Sequence, residues 1–284
     1  MTIKLMQDSY GKSNIRVGKL TRYADYHDFK EIHVNIQLEG DFETVYTEGD
    51  NHSVLPTDTI KNTVFAQAQD HPLDTIESFG LHLADYFLTN NAQISKIILD
   101  ITQIRWEKMN LNGQPEPFTY MGCNSEKWTT HIEQSPKKSP KVASGIADMR
   151  ILKTTKSAFE NYIVDKFTTL PPTADRILAT ALETVWQYNT LKNIDFVAER
   201  AAVRQHLLAS FAAHDSLSVQ HTLYAMGEAV LKNVENVEEI SLKMPNLHYI
   251  PFNMKPFGME NKNEIFTASG DAFGYITGTL QRKP

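Results

Sequence analysis

The sequence predicts an α+β fold built from two tandem antiparallel halves, each in the order strand, strand, helix, helix, strand, strand. Three observations carry this. Residues 15–24 and 29–39 alternate apolar and polar side chains, as a sheet with one buried face requires. Each half then holds two segments with apolar residues at helical spacing. A Pro/Ser/Lys stretch from Ser135 to Val142 separates two runs with the same element order.

In the first half, residues 15–24 and 29–39 read as strands. Val34, Ile36 and Leu38 alternate with Asn35, Gln37 and Glu39, and Tyr26-His27-Asp28 forms the turn. Residues 57–69 and 74–90 read as helices. Pro56 breaks what precedes the first, and Thr57 or Asp58 caps it. Asp74 caps the second, where Ile76, Phe79, Leu83, Tyr86 and Phe87 share one face. Ser95 to Glu107 and Phe118 to Cys123 are strands, and Asn112-Gly113 between them is a hairpin turn.

The second half begins with strands at Gly145–Thr155 and Arg176–Tyr188. Residues 195–213 form a helix with Phe196, Ala201, Val203, Leu207 and Leu208 on its apolar surface, and Ser216–Lys232 forms another. Val237–Met244 and Gly274–Leu280 are the last strands. The passage Asn91–Trp106 corresponds in pattern to Asn233–Tyr249, which points to duplication. The expected domains are 1–140 and 141–284. An open four-stranded sheet leaves two edges to be covered or paired. Edge pairing between halves and between subunits closes a barrel, so an oligomer is expected.

Composition narrows the partners. The chain of 284 residues is 41% apolar and 22% charged, with net charge -6. That balance argues against nucleic acid, which needs clustered Lys and Arg. The local cluster Lys137, Lys138 and Lys141 lies among Ser and Pro and reads as a solvated linker. No stretch approaches the roughly 18 apolar residues of a membrane span. Met1-Thr2-Ile3-Lys4 lacks the apolar run of a signal peptide, and Gln281-Arg282-Lys283-Pro284 is not a Ser-Lys-Leu address, so the expected location is cytoplasmic. Cys123 is the single cysteine and excludes an intrachain disulfide.

Several chemistries lack their motifs. Ten histidines include no His-Glu-x-x-His and no His-x-His, and His214 and His221 are separated by a break at Asp215-Ser216, so no metal site is expected. Gly-x-Gly-x-x-Gly, Gly-x-x-x-x-Gly-Lys and Gly-x-Ser-x-Gly are all missing.

Dispersed segments carry what remains. They are Tyr10-Gly11-Lys12; Val54-Leu55-Pro56-Thr57-Asp58-Thr59-Ile60-Lys61-Asn62; Phe159 with Asp175-Arg176-Ile177-Leu178; Ser218-Val219-Gln220; and Met244-Pro245-Asn246-Leu247-His248-Tyr249. Arg105-Trp106 and Trp186-Gln187-Tyr188 accompany them. Taken singly these have plain structural readings: an Arg176–Asp175 surface ion pair, a core Phe159, a helix cap at Thr57, a turn at Asn246. Together, in this order and at these intervals, they resemble the urate oxidase (uricase) family along nearly the whole chain.

The resemblance implies the tunnelling fold, two ββααββ domains per chain, with chains paired into barrels and stacked as a homotetramer that has active sites at subunit interfaces. It implies oxidation of urate by dioxygen with no cofactor and no metal. Arg176 would grip the anionic edge of urate bidentately, as Lys cannot. Gln220 would match a urea-like edge with donor and acceptor, and the Val219 N–H would bond the purine. Phe159 would stack on the ring, an interaction of about 1–3 kcal/mol by analogy with base stacking. Lys12, Thr57 and His248 would form a catalytic proton relay. Thr57 and Asn246 would hold dioxygen, and Asp58 would contact the ligand or adjacent backbone. The family draws Lys12, Thr57 and Asp58 from one subunit and the others from its neighbour. Leu247 stands where some relatives carry Lys. Two alternatives stay open: another purine or pterin enzyme of this fold, and a catalytically silent purine-binding protein.

Overall fold

The computed structural model describes residues 3–268, 270 and 272–283; Met1, Thr2 and Pro284, which enter the reading of the two termini, lie outside them. The chain divides into two compact units, Met1–Gly145 and Ile146–Pro284.

The first unit holds β1 (Tyr10–Arg22), β2 (His27–Gly40), α1 (Glu43–Thr47), α2 (Thr57–Asp70), α3 (Ile76–Asn90), β3 (Ile94–Leu111) and β4 (Gln114–Gln134). Its strands pair antiparallel in chain order, β1 with β2, β2 with β3 and β3 with β4. Val34, Ile36 and Leu38 are fully buried, as alternation requires, and Phe79, Leu83 and Phe87 of α3 pack over that face. Asn112 and Gly113 both have positive φ, 54° and 80°, which defines a type I′ turn joining β3 to β4.

β5 (Lys141–Lys153) leads the chain from the first unit into the second. There follow β6 (Leu178–Tyr188), α4 (Phe196–Ala213), α5 (Val219–Asn233), β7 (Val237–Leu247), β8 (Tyr249–Pro251), β9 (Phe266–Ala268) and β10 (Tyr275–Gln281). The strand order of this unit is β5-β6-β7-β10, and β8 pairs with β9 as a separate ribbon. Both units are therefore α+β with antiparallel strands.

Several expectations are corrected. α2 is capped by the backbone of Pro56, with no side-chain cap bond, and Thr57 and Asp58 are its first two helical residues. α3 is capped by Thr75, not Asp74: the Thr75 hydroxyl accepts the Ser78 N–H and the Ser78 hydroxyl accepts that of Thr75, a reciprocal box. The linker shortens because Lys141 and Val142 already belong to β5. Arg176 precedes its strand. On α4 Ala201 is exposed; the core positions are Phe196, Arg200, Val203, Leu207 and Phe211, with the Arg200 guanidinium 5.4 Å from the centre of the buried Trp186 ring.

A repeated device closes the first long helix of each unit. In the first, Lys19 of β1 donates from Nζ to the carbonyls of Ala68 and His71. His71 caps α2, and its ring lies 4.9 Å from that of His82 on α3. In the second, Lys153 of β5 donates to the carbonyls of Phe211 and His214. His214 caps α4, and its ring lies 4.3 Å from that of His221 on α5. The break at Asp215-Ser216 turns the chain so that these histidines meet. A lysine at a helix C-terminus satisfies orphan carbonyls and complements the dipole.

Burial, the neighbouring histidine and the lysine hold His71 and His214 below the ordinary imidazole range. The folded chain thus takes up these protons less readily than the unfolded one. The resulting stability is present above the unfolded value and is lost as pH falls through it. His131 opposes this: Asp100 and Glu133 raise it, so its contribution is present at low pH and fades as pH rises. The expected outcome is that the melting temperature falls less between about pH 7 and 5 in the His71→Asn/His214→Asn double variant than in the parent chain. Parallel curves in a thermal-shift series would refute the assignment.

Candidate active site

The first unit contributes Lys12, Thr57 and Asp58. Gly11 sits so close to β2 that a Cβ would lie 1.8 Å from the Ile36 carbonyl oxygen. Directly after it the β1–β2 register shifts between Lys12 and Ile15. Asn14 at the bulge has φ 57° and donates its N–H to Asn35 Oδ1 at 2.7 Å. A bulge of this kind re-aims the neighbouring side chain, here Lys12, which is half-buried. The Tyr10 hydroxyl accepts the Leu55 N–H at 2.8 Å and ties β1 to the loop that enters α2.

α2 presents Thr57 and Asp58 on its exposed first turn, while Ile60, Val64 and Ala68 anchor the opposite face. The Asp58 carboxylate is gripped by Lys61 Nζ and by Asn62 Nδ2, the latter at 2.9 Å. These bonds, with the charge of Lys61 and a smaller field from Lys12, hold its carboxyl below the usual range. Lys12 and Asp58 therefore feel one another, with Lys61 already neutralising much of the carboxylate's field.

The second unit contributes the remaining residues. Arg176 and Phe159 meet: the guanidinium carbon lies 5.3 Å from the ring centre. Arg176 makes no ion pair with Asp175. Burial lowers its pKa, and its Nε is buried without a hydrogen-bond partner among the described residues. Phe159 is held by a two-bond bridge to Thr173, with N–H···O distances of 2.8 and 3.1 Å, and Tyr162 stacks on it at 4.9 Å.

α5 opens nearby in the chain's bonding pattern, because Ser216 bridges Ser157 and accepts the Ala158 N–H at 2.7 Å. Ser218 caps the helix by accepting the His221 N–H at 3.1 Å. The N–H groups of Val219 and Gln220, the first two of the helix, have no intrahelical partner. Such amides favour an anion. Gln220 is exposed and Val219 buried. Asn246 lies within β7, opposite Thr180 of β6, and is nearly buried; its N–H donates to the Gly274 carbonyl at 2.8 Å. His248 occupies the single-residue break between β7 and β8. The end of β7 thus borders the start of β6, just after Arg176.

The nine residues divide by unit, Lys12, Thr57 and Asp58 in the first and the rest in the second, where Arg176 and Phe159 are in direct contact. Sequence reasoning overlooked the holding roles of Lys61, Asn62, Thr155 and Asp175. Lys61 and Asn62 were visible as the i+3 and i+4 neighbours of Asp58 on one helix. Thr155 and Asp175 leave no local trace, since their pairing joins distant segments. Among the described residues, no three His, Cys, Asp or Glu side chains gather as metal ligands would, and no helix is long and apolar enough to cross a membrane.

The second unit sets a half-buried guanidinium, an aromatic face and a helix N-terminus on one antiparallel α+β frame. Comparison with known proteins is specific. The sequence profile of the uricase family matches residues 8–133 and 142–277. The chain is 36% identical over 287 residues to the uricase of Danio rerio (99% of this chain, 96% of that one) and 38% identical over 281 residues to that of Arthrobacter globiformis (99% and 91%). The crystal structure of the Arthrobacter globiformis uricase superposes with a TM-score of 0.93 at 37% identity, covering all of this chain and 96% of that one. Urate oxidase from Bacillus sp. TB-90, at 21% identity and a TM-score of 0.85, shares the fold. The chain belongs to the uricase family, and its activity is that of a urate oxidase.

The close approach at Gly11 yields a check on the Lys12 platform. Gly11→Ala should lower the melting temperature and sharply reduce turnover, because the added methyl must push β1 from β2 beside the bulge. A variant with parental stability and rate would show that the approach is not needed.

Proposed function

We propose that the chain converts urate, dioxygen and water to 5-hydroxyisourate and hydrogen peroxide without cofactor or metal. The observation that carries the reading is Arg176, desolvated, unpaired at Nε and lying over the Phe159 ring. A desolvated cation without an acidic partner suits an anionic ligand, and its planar fork suits adjacent carbonyl and nitrogen acceptors. Phe159 takes the ring face, the Val219 N–H and the Gln220 side chain take the opposite edge, and Asn246 holds dioxygen, and later water, over the ring together with Thr57.

Lys12 accepts a proton from bound urate through the Thr57 hydroxyl, which donates and accepts at once. Asp58 contacts the ligand or neighbouring backbone. The electron-rich dianion passes an electron to dioxygen. The radical pair joins at ring carbon 5 as a peroxide, hydrogen peroxide leaves, and water adds in its place. His248 exchanges the relay's protons with solvent.

The assembly belongs to the same proposal. Two tandem tunnelling-fold domains, 1–140 and 141–284, pair with a second chain as a barrel, and two barrels stack as a homotetramer. Support comes from β1 and β10, which end the strand order of their units and leave edges to be covered. Segregation of Lys12, Thr57 and Asp58 in one unit from the other site residues suits sites shared between subunits. A cytoplasmic location completes the reading.

Purified, chelator-treated protein should consume oxygen as urate absorbance falls; no uptake anywhere from about pH 6 to 9 would sink the reaction. Lys12→Met should slow turnover far more than it weakens xanthine binding, and the reverse would make Lys12 a binding residue. Arg176→Ala should chiefly weaken xanthine binding, and unchanged affinity would remove its role as a clamp.

A further inference from the structure

We infer that Asp175 is a positioning residue that holds Arg176 and Phe159 in their binding geometry and, by being engaged elsewhere, leaves the guanidinium charge free for the anionic ligand. The inference rests on the reading of Arg176 and Phe159 as ligand-binding groups.

An Asp beside an Arg in sequence is the simplest partner for it, yet here the two side chains do not pair. Asp175 Oδ2 accepts the Thr155 hydroxyl at 2.7 Å, and Oδ1 accepts the Ser157 N–H at 3.3 Å. Ser157 in turn accepts the Arg176 N–H on its carbonyl at 2.8 Å, so carboxylate and backbone close a ring across the two segments. The Thr173 hydroxyl donates to the Asp175 carbonyl at 3.0 Å, and Thr173 is the residue whose backbone bridges Phe159. On its other side the 156–158 segment bonds Ser216, two residues before the cap of α5. One carboxylate therefore staples the segment that leads to Phe159 against the segment that leads to Arg176. That first segment also bonds the stretch that opens the Gln220 helix.

The staple suits ionised aspartate. The Thr155 hydroxyl, with the N–H groups of Ser157, Lys156 and Arg176, holds the carboxyl below its usual range, so it stays charged through neutral pH. Thr155 and Asp175 are both exposed, so replacing either empties no core.

Equilibrium binding of xanthine, with urate steady-state kinetics beside it, tests this. Asp175→Ala should weaken xanthine binding about tenfold and raise KM for urate, with kcat changed by less than about twofold, as a displaced binding group does. Asp175→Asn should recover most of the affinity, since its amide can accept the Ser157 N–H and donate to Thr155. Thr155→Val should show a smaller loss in the same direction, and serves if Asp175→Ala proves unstable. In an Arg176→Ala background, Asp175→Ala should add little. An equal loss in that background would mean a general structural role, and wild-type xanthine affinity in Asp175→Ala would mean none; either overturns the inference. If Arg176→Ala alone leaves xanthine binding unchanged, the underlying binding assignment fails instead.

Discussion

At one corner of the second unit, three chain segments remote in sequence are joined by isolated bonds. Ala158 donates to Ser216, Arg176 to Ser157, and Phe159 and Thr173 exchange a pair. None of these stretches is part of a long ladder, yet each carries or precedes a side chain of the candidate site. A regular strand presents residues at a fixed period of two. Isolated bridges place a guanidinium, a phenyl ring and a helix N-terminus at angles that a ladder cannot supply. The long strands and the helices over them serve as the rigid mass on which this corner is set.

What was legible in the sequence follows the same division. Helices α2 through α5 were found to within a few residues because one stripe of each is buried and the rest wet. The Asn112-Gly113 hairpin was found because only positive φ at both positions makes that turn. β4 was read as a short piece although it runs from Gln114 to Gln134. The missed stretch 125–134 buries Glu126 and Thr130 beside Ile132, so its inward positions are mostly polar and no apolar alternation marks them. The cap of α3 falls one residue from its expected place because Asp74 and Thr75 share that chemistry, and α2 starts on Pro56 with no side-chain cap at all. The site residues came from resemblance to a family and not from pattern. The partners that hold them, Asp175 above all, come from far along the chain and leave no period.

The two units repeat more than their element order. A lysine from the first strand of each reaches the last carbonyls of the first long helix, and a histidine that ends that helix meets one on the next. The second helices match too: Thr75 and Ser218 each cap by accepting the N–H three residues on. At the second helical position the copies part. Gln220 is exposed, whereas Glu77 is buried and accepts a hydrogen bond from the Ser144 hydroxyl. The same architectural corner faces outward in one unit and has been absorbed into the core of the other.

The lone Nε of Arg176 has a thermodynamic consequence. Stripping water from a buried donor without returning a partner costs on the order of 1–3 kcal/mol, and the Arg176 Nε carries such a cost in the folded chain. The empty protein is accordingly less stable than its contacts alone would make it. Under the proposed function, a ligand that bonds this Nε meets a donor already dehydrated and restores what folding withheld. Its occupancy would then count among the forces that keep the second unit in its native form.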